Sequence, residues 1–380
     1  MSSDLRIHPV SGNKDLKAFV RVPFGLYKDD PHWVPPLEIE RMGVLRKDKN
    51  PYFDHAEAQY WIAYRGGEAV GRISAQIDQM ALERMDPKTG HMGFFECEND
   101  FGTAKALFDT AEAWLRQKGM KKVLGPLSHS TNEEVGLLVD GFDEDPRIMM
   151  GHAHPYYKDL FEKAGYKKAR DVYAYTLDIT VPFPDKILRL VDYAMRNPDI
   201  EIRNINLKDY KNELLLFFDI LNDAWVDNWG FVGFTAAEVQ HVAKEMRPFI
   251  KDYQTRICYY KGEPAAFMVT LPDLNHQIKD LNGKLLPFGW AKLLWRGRSR
   301  KGLEQVRVPL MGVRKHLQKS VVGGMMAFLL IETIRRPIVA HGGKRAELSW
   351  ILEDNLPMRN ILERIHCDIY KTYRIFEKKI

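Results

Sequence analysis

Val313-Arg-Lys-His-Leu-Gln-Lys-Ser-Val-Val-Gly-Gly-Met325 is the stretch on which the fold turns. An alternating apolar run precedes it, with Val306, Val308 and Leu310 in strand register. Met326, Phe328, Leu329, Leu330 and Ile334 follow it at helical spacing. A strand, a basic turn and a glycine-bearing helix start make an anion cradle. The first N–H groups of a helix lack intrahelical acceptors, and the helix dipole favours negative charge beside them. Gly323 and Gly324 allow close backbone approach. The plainer reading is a strand–helix corner that uses glycine for packing. Downstream, Leu348-Ser-Trp-Ile-Leu-Glu-Asp-Asn355 reads as a strand ending in a polar turn, followed by a last helix and a last strand.

The pattern around this loop occurs twice. Trp61-Ile-Ala-Tyr-Arg-Gly-Gly-Glu-Ala-Val-Gly-Arg-Ile73 reads as strand, glycine turn, strand. Ile257-Cys-Tyr-Tyr-Lys-Gly-Glu-Pro-Ala-Ala-Phe-Met-Val269 is the same hairpin, with Tyr260-Lys-Gly262 lying 196 positions after Tyr64-Arg-Gly66. The copies also end alike. Phe161-Glu-Lys-Ala-Gly-Tyr166 and Leu362-Glu-Arg-Ile-His-Cys367 each run from a helix end into an alternating aromatic strand, 201 positions apart. Tandem α/β domains over 1–180 and 185–380 are expected, divided at the breaker Val181-Pro-Phe-Pro184.

A chain of 380 residues suits two domains, and a composition 45% hydrophobic and 28% charged is ordinary globular material. The net charge of +5 is too mild for a nucleic-acid binder and fits an anionic cofactor or an anionic membrane face. Cys97, Cys258 and Cys367 show no metal-ligand spacing and are too few for a disulfide framework, which fits a reducing cytoplasm. The start, Met-Ser-Ser-Asp-Leu-Arg6, has no signal-peptide core, and no run approaches a membrane span.

Strand, phosphate turn, helix, strand, Asn, helix, strand resembles the GNAT acyltransferases, which bind acyl-CoA. In their pyrophosphate loop Gln or Arg is followed by Gly three positions on and by Gly or Ala two further. Gln318 and Gly323 hold the outer places here, and Val321 stands where the middle glycine would be. Starting from Lys319 and Gly324 puts Val322 there. The resemblance implies acyl-CoA as a co-substrate with no tightly bound cofactor. Its phosphates would lie at Gln318, Lys319, Gly323 and Gly324, with pantetheine passing Val313 toward Trp350 and Asn355. The family's tyrosine acid is replaced by Leu362, and its Gly-Phe by His366-Cys367. In copy one, Thr103–Lys118 reads as an amphipathic helix, and the loop before it, Glu98-Asn-Asp-Phe-Gly102, is acidic and repels pyrophosphate. Copy two is therefore expected to hold the cofactor, and copy one to serve the substrate.

Acyl transfer to an amine needs a base or water relay for the ammonium proton and donors for the oxyanion. Ser130-Thr-Asn-Glu-Glu134 is a polar knot between apolar stretches. One reading is a helix cap, with Ser130 or Thr131 as N-cap and Glu133 or Glu134 in the first turn. The other is a site at the edge of a sheet. His152-Ala-His154-Pro-Tyr-Tyr157 has two histidines without a third ligand, so no metal is expected. His154 stands 201 positions before Asn355, and a base or substrate contact is expected there. The expected catalytic set is Glu133, Glu134 and His154. Thr131, Asn132, Tyr157, Trp229 and Trp290 are the expected substrate contacts. Trp229 comes from Asn222-Asp-Ala-Trp-Val-Asp-Asn-Trp-Gly-Phe231, which also reads as inter-domain packing.

Leu285-Leu-Pro-Phe-Gly-Trp-Ala-Lys-Leu-Leu-Trp-Arg-Gly-Arg-Ser-Arg-Lys301 mixes Trp and Leu with five cations and no acid, the composition of an interfacial membrane helix or of a roof over an acyl channel. A buried helix with a basic tail is the plainer alternative. Asp30-Pro-His-Trp-Val-Pro-Pro-Leu37, Asn50-Pro-Tyr-Phe53, Gly93-Phe-Phe-Glu-Cys-Glu98, residues 130–142, Leu348–Asn355 and Tyr370-Lys-Thr-Tyr-Arg374 together resemble the bacterial two-domain GNAT-like family that includes bacterial ceramide synthases. That resemblance implies an N-acyltransferase built of tandem GNAT-like domains, each a mixed, mostly antiparallel sheet flanked by helices. It implies a long acyl chain joined to a sphingoid-type amine. An enzyme in the cytoplasm or peripheral on the inner membrane is expected, with the amine head entering between the domains near Glu133, Glu134 and His154 and its chain along residues 285–296. An acetyl-CoA-dependent small-amine acetyltransferase and a non-catalytic acyl-CoA or lipid binder are the alternatives. The sequence assigns no oligomeric state.

Overall fold

The computed structural model describes residues 4–296 and 304–380. The chain forms two compact units. The first takes Met1–Val172, Asn275–Lys292 and Lys371–Ile380, and the second takes Tyr173–Leu274 and Leu293–Tyr370. Residues 297–301 of the basic apolar segment lie outside the described residues.

Each unit is built on the same sheet. In the first, the order is Leu5–Pro9, Ala56–Arg65, Glu68–Asp78, Thr89–Cys97, Lys122–Gly125 and the end of Asp368–Lys379. Thr89–Cys97 runs parallel to Lys122–Gly125, and the other neighbours in this order pair antiparallel. In the second, the order is Ile200–Asn204, Thr255–Tyr260, Glu263–Pro272, Gln305–Val313, Arg345–Leu352 and the part of Lys167–Asp178 from Tyr173 onward. Gln305–Val313 with Arg345–Leu352 is its parallel pair. A parallel pair needs a long crossover. Phe101–Gln117 and Val321–Ala340 supply it in the two units.

The helices fold where the apolar spacing places them. Leu107, Ala111 and Leu115 of Phe101–Gln117 are buried, and the chain leaves that helix at Gly119 with φ +84. Met326, Leu329, Leu330 and Ile334 of Val321–Ala340 pack on Val306, Val308 and Leu348. The other face of the second sheet is covered by Tyr210–Trp225 and Ala236–Met246, through Phe217, Leu221 and Val239 against Phe267 and Val269.

Two features depart from the sequence reading. The closing strands are exchanged. The first sheet ends on the chain's last strand, with Phe376 opposite Gly125, and the second takes residues from Tyr173 on. The two strands share one alternating aromatic pattern, so pattern alone does not say which sheet each completes. The Ser130–Glu134 knot caps no helix. Leu127–Ser128 pairs with Glu134–Val135 as a small hairpin, and the Ser130 hydroxyl accepts the Asn132 N–H at its tip. A serine hydroxyl closes a tight turn as readily as a helix start, and the flanking Leu127 and Val135 are buried in the strands.

The parallel pairs then differ. In the second unit, pairing runs from Gln305 opposite Arg345 to Val308 opposite Leu348 and stops where Pro309 lacks an N–H. Beyond that point Gln305–Val313 continues against Glu263–Pro272 alone, to Val313 opposite Ala266. In the first unit, pairing stops at His91 opposite Leu124, and the Leu127–Ser128 hairpin crosses onto the strand. A Cβ at Gly93 would overlap the Leu127 carbonyl there, so glycine is required. Ser128 Oγ accepts the Phe94 N–H at 3.3 Å.

Candidate active site

In the second unit, the turn after Val313 begins with Lys315–Leu317 as a short 3-10 segment and ends at Ser320, the N-cap of Val321–Ala340. Ser320 Oγ accepts the Gly323 N–H at 3.0 Å, and the Ser320 carbonyl accepts that of Gly324. A Cβ on Gly323 would overlap the Leu317 carbonyl, whereas one on Gly324 would meet nothing. Gly323 therefore lets the helix sit on the turn, and Gly324 leaves an open surface. Gln318 Nε2 donates to the carbonyls of Ala224 at 2.7 Å and Val313 at 2.9 Å, tying the loop to helix Tyr210–Trp225. As the first two helical residues, Val321 and Val322 have no intrahelical acceptor for their N–H groups. Those amides and the exposed Lys319 are the donors this helix start can offer an anion. Arg314 pairs with Asp219 at 2.5 Å and Lys315 with Asp227 at 2.7 Å, holding cations around the rim.

Where the parallel strands part, a buried polar group forms. Arg307 Nε lies 3.1 Å from Ser349 Oγ and 3.3 Å from Glu347 Oε1, and its guanidinium stacks over Trp350 at 4.9 Å. Ser349 Oγ donates to Glu347 Oε1 at 2.6 Å, and the Tyr370 hydroxyl donates to Oε2. Trp350 is thus fixed at the opening by Arg307. Asn355 caps Leu356–Arg364, its Oδ1 accepting the Met358 N–H at 3.2 Å. Leu362 is wholly buried in the core, so its helix shows no acid at that place. Trp229 lies half-buried in the turn after Tyr210–Trp225, where Trp225 Nε1 donates to the Met311 carbonyl.

In the first unit, Glu134 Oε1 accepts from Arg41 at 2.6 Å, and Glu133 Oε2 lies 3.4 Å from His129 Nδ1. Thr131 and Asn132 form the hairpin tip between them. His154 is stacked between Tyr27 at 4.4 Å and Tyr156 at 5.1 Å. Its Nε2 donates to the Leu26 carbonyl at 3.1 Å, which leaves Nδ1, 4.0 Å from Asp30, to take a proton. Tyr157 is fully buried. Its hydroxyl accepts the Cys97 N–H and donates to Glu96 Oε2, both at 3.0 Å. In the first crossover helix, Asp100 accepts the Thr103 N–H and Arg65 bridges Asp100 and Glu98, so acids already satisfy that N-terminus.

Two residues escaped the sequence reading. Glu96 projects from a buried strand, where Tyr27 donates to its Oε2 at 2.5 Å and Arg72 lies 3.5 Å from Oε1. Burial pushes its carboxyl above the ordinary range against the pull of Arg72. A carboxyl raised in this way is suited to proton transfer. His129 is wholly buried at φ +80, its Nε2 2.7 Å from the Tyr60 hydroxyl. A lone carboxylate inside the apolar run Met92–Cys97 was the available signal for Glu96. Among the described residues, no cluster of three His, Cys, Asp or Glu side chains is placed to hold a metal.

Two sheets that each carry a hairpin, a parallel pair and a crossover helix define a tandem acyltransferase of the GNAT type. Residues 26–133 match the model of the Acetyltransferase (GNAT) family. The chain is 42% identical over 380 residues to the bacterial ceramide synthase of Caulobacter vibrioides (strain NA1000 / CB15N), covering 100% of this chain and 98% of that one. It is 44% identical over 367 residues to protein YghO of Escherichia coli (strain K12), covering 96% and 93%. It also resembles a tandem GNAT protein from the clavulanic acid biosynthesis pathway, with TM-score 0.58, 12% identity and coverage of 99% and 98%. A GCN5-related N-acetyltransferase from Sphaerobacter thermophilus gives TM-score 0.54 at 11% identity, covering 98% and 95%. At such identities the structural likenesses show the fold alone. The chain belongs to the two-domain, GNAT-like N-acyltransferase family of its two sequence relatives, and it is an enzyme of that class.

Proposed function

We propose that this enzyme joins a long acyl chain from acyl-CoA to a sphingoid-type long-chain amine. The observation that carries the reading is its 42% identity, across the whole of both chains, to a bacterial ceramide synthase. In this reading the CoA phosphates lie at the turn Gln318–Gly324, with Lys319 and the free amides of Val321 and Val322 as donors. The acyl arm passes Val313 toward Trp350 and Asn355, where the strands part. In the first unit, Glu133 and Glu134 attract the ammonium, with Thr131 and Asn132 beside them at the hairpin tip and Tyr157 as a further substrate contact. His154 or Glu96 takes its proton. The amine nitrogen then bonds to the acyl carbon, the C–S bond breaks, and CoA leaves as its thiol. A cytoplasmic enzyme peripheral to the inner membrane fits a substrate of this kind.

The test is a matrix of acyl-CoAs against amines, read as kcat/KM. Palmitoyl-CoA with a long-chain amino alcohol should exceed acetyl-CoA with polyamines or amino acids by at least about a hundredfold, the discrimination that several buried methylenes supply. Preference for acetyl-CoA and a small amine would overturn the reading in favour of an acetyltransferase.

A further inference from the structure

We propose that the segment Leu286–Arg296 docks this enzyme on the surface of an anionic bilayer. Large apolar side chains on a protein surface are ordinarily scattered singly. Here five stand within ten residues, with Leu286 75%, Phe288 74%, Trp290 51%, Leu294 56% and Trp295 73% exposed. No residue of the helix Gly289–Arg296 is buried. At about 100° per residue, Trp290, Leu293, Leu294 and Trp295 sweep one apolar arc of roughly 200°, and Lys292 and Arg296 occupy the other side. A helix lying in a membrane interface has this division.

The backbone suits that position. The Trp290 N–H donates to the Leu285 carbonyl, those of Ala291 and Lys292 donate to Phe288, and Trp290 Nε1 donates to Pro287. These groups need no water, which lowers the cost of leaving it. The stem is firmly held within the first unit. Asn275 donates to the Pro146 carbonyl, Lys279 pairs with Asp145 at 2.6 Å, and the Gly283 carbonyl accepts the Glu38 N–H at 2.9 Å. Among the described residues no helix is long and apolar enough to cross a membrane, so contact is with the surface.

Charge selects the occupant. From Lys284 to Lys301 the sequence holds six cations and no acid, in a chain whose whole net charge is +5. A second copy would bring the same cations face to face and be repelled. A polyanion without an apolar phase would leave the tryptophans in water. An anionic lipid surface meets both needs. The use of such docking rests on the long-chain acceptor proposed above, since that substrate resides in a bilayer; the docking itself is measured without it.

The experiment floats the full-length protein with phosphatidylcholine vesicles and with vesicles containing about a third phosphatidylglycerol, without acyl-CoA or amine. Phe288→Ser with Trp295→Ser is run beside the wild type, with thermal melting as the fold control. Wild type should float with the anionic vesicles only. The double variant should bind at least about tenfold more weakly at an unchanged melting temperature, and about 0.5 M salt should release wild type. Wild type that stays at the bottom of the gradient, or a double variant that floats as well as wild type, would overturn docking. So would a wild-type oligomer that the double variant converts to monomer without altering flotation. Acyl transfer to a long-chain amino alcohol dissolved in detergent micelles is measured in parallel. Transfer without flotation removes the docking alone, and flotation without transfer removes the proposed reaction alone.

Discussion

Val321→Glu separates the proposed phosphate site from the fold that carries it. Val321 is the first residue of its helix and 78% exposed, so losing its side chain removes almost no packing. A carboxylate in the first turn interacts favourably with the helix dipole, by about 0.3–1 kcal/mol. Stability should hold or rise slightly. A pyrophosphate bound to the Val321 and Val322 amides would lie about 6 Å from that new carboxylate, and the repulsion is about 1–3 kcal/mol per charge pair at a partly wetted surface. Affinity for CoA should therefore fall about five- to a hundred-fold. Calorimetric titration of CoA at about 0.15 M salt, beside a urea melt of the same sample, reads both quantities. Gly323→Asp is a poor substitute, because any Cβ there collides with the Leu317 carbonyl. Unchanged CoA affinity in a folded Val321→Glu protein would refute the placement at this helix.

Other perturbations reach the buried charges. Burial holds the Glu96 carboxyl above 4.5, so its contribution to stability is present below that pH and is lost as pH rises through the raised value. Glu96→Gln should therefore gain on wild type in urea melts as pH rises above 4.5, and parallel curves would count against the assignment. His91 is buried and held down to about 4 from 6.5, so it stays neutral when folded and takes a proton when unfolded. Wild type should lose up to about 3 kcal/mol as pH falls from 6.5 toward 4, and His91→Gln should flatten that slope. Arg307→Met strands Glu347 in the core and should cost about 3 kcal/mol, with part of it recovered when Glu347→Gln is added; no recovery would mean the two are not coupled.

Much of the fold was legible because hairpins declare themselves locally. Tyr64-Arg-Gly66 and Tyr260-Lys-Gly262 mark two turns whose flanking strands pair as expected, Arg65 with Glu68 and Tyr260 with Glu263. The exchange of closing strands was not legible, since the strands after Gly165 and His366 carry the same pattern and only long-range pairing separates them. Ser130 misled because a hydroxyl that accepts a nearby N–H serves a hairpin tip and a helix cap alike. In the turn after Val313, sequence showed the glycines but not their uses. Gly323 answers to the Leu317 carbonyl, and only Gly324 faces open space. Glu96 went unread because a lone polar residue on a strand can equally face solvent, and its enclosure depends on Tyr27 and Arg72, distant in sequence.

The proposed reaction transfers an acyl group from CoA to an amine that carries a long chain. The direct measurement incubates purified enzyme with palmitoyl-CoA and a sphingoid base in mixed micelles, and follows lipid products by mass spectrometry and free thiol by a colour reagent. The expected product is an N-acyl amide whose mass is that of the base plus the acyl group less one hydrogen, with one thiol released per amide. Thiol release without amide, or no turnover of any long-chain amine by an enzyme that binds CoA, would contradict it.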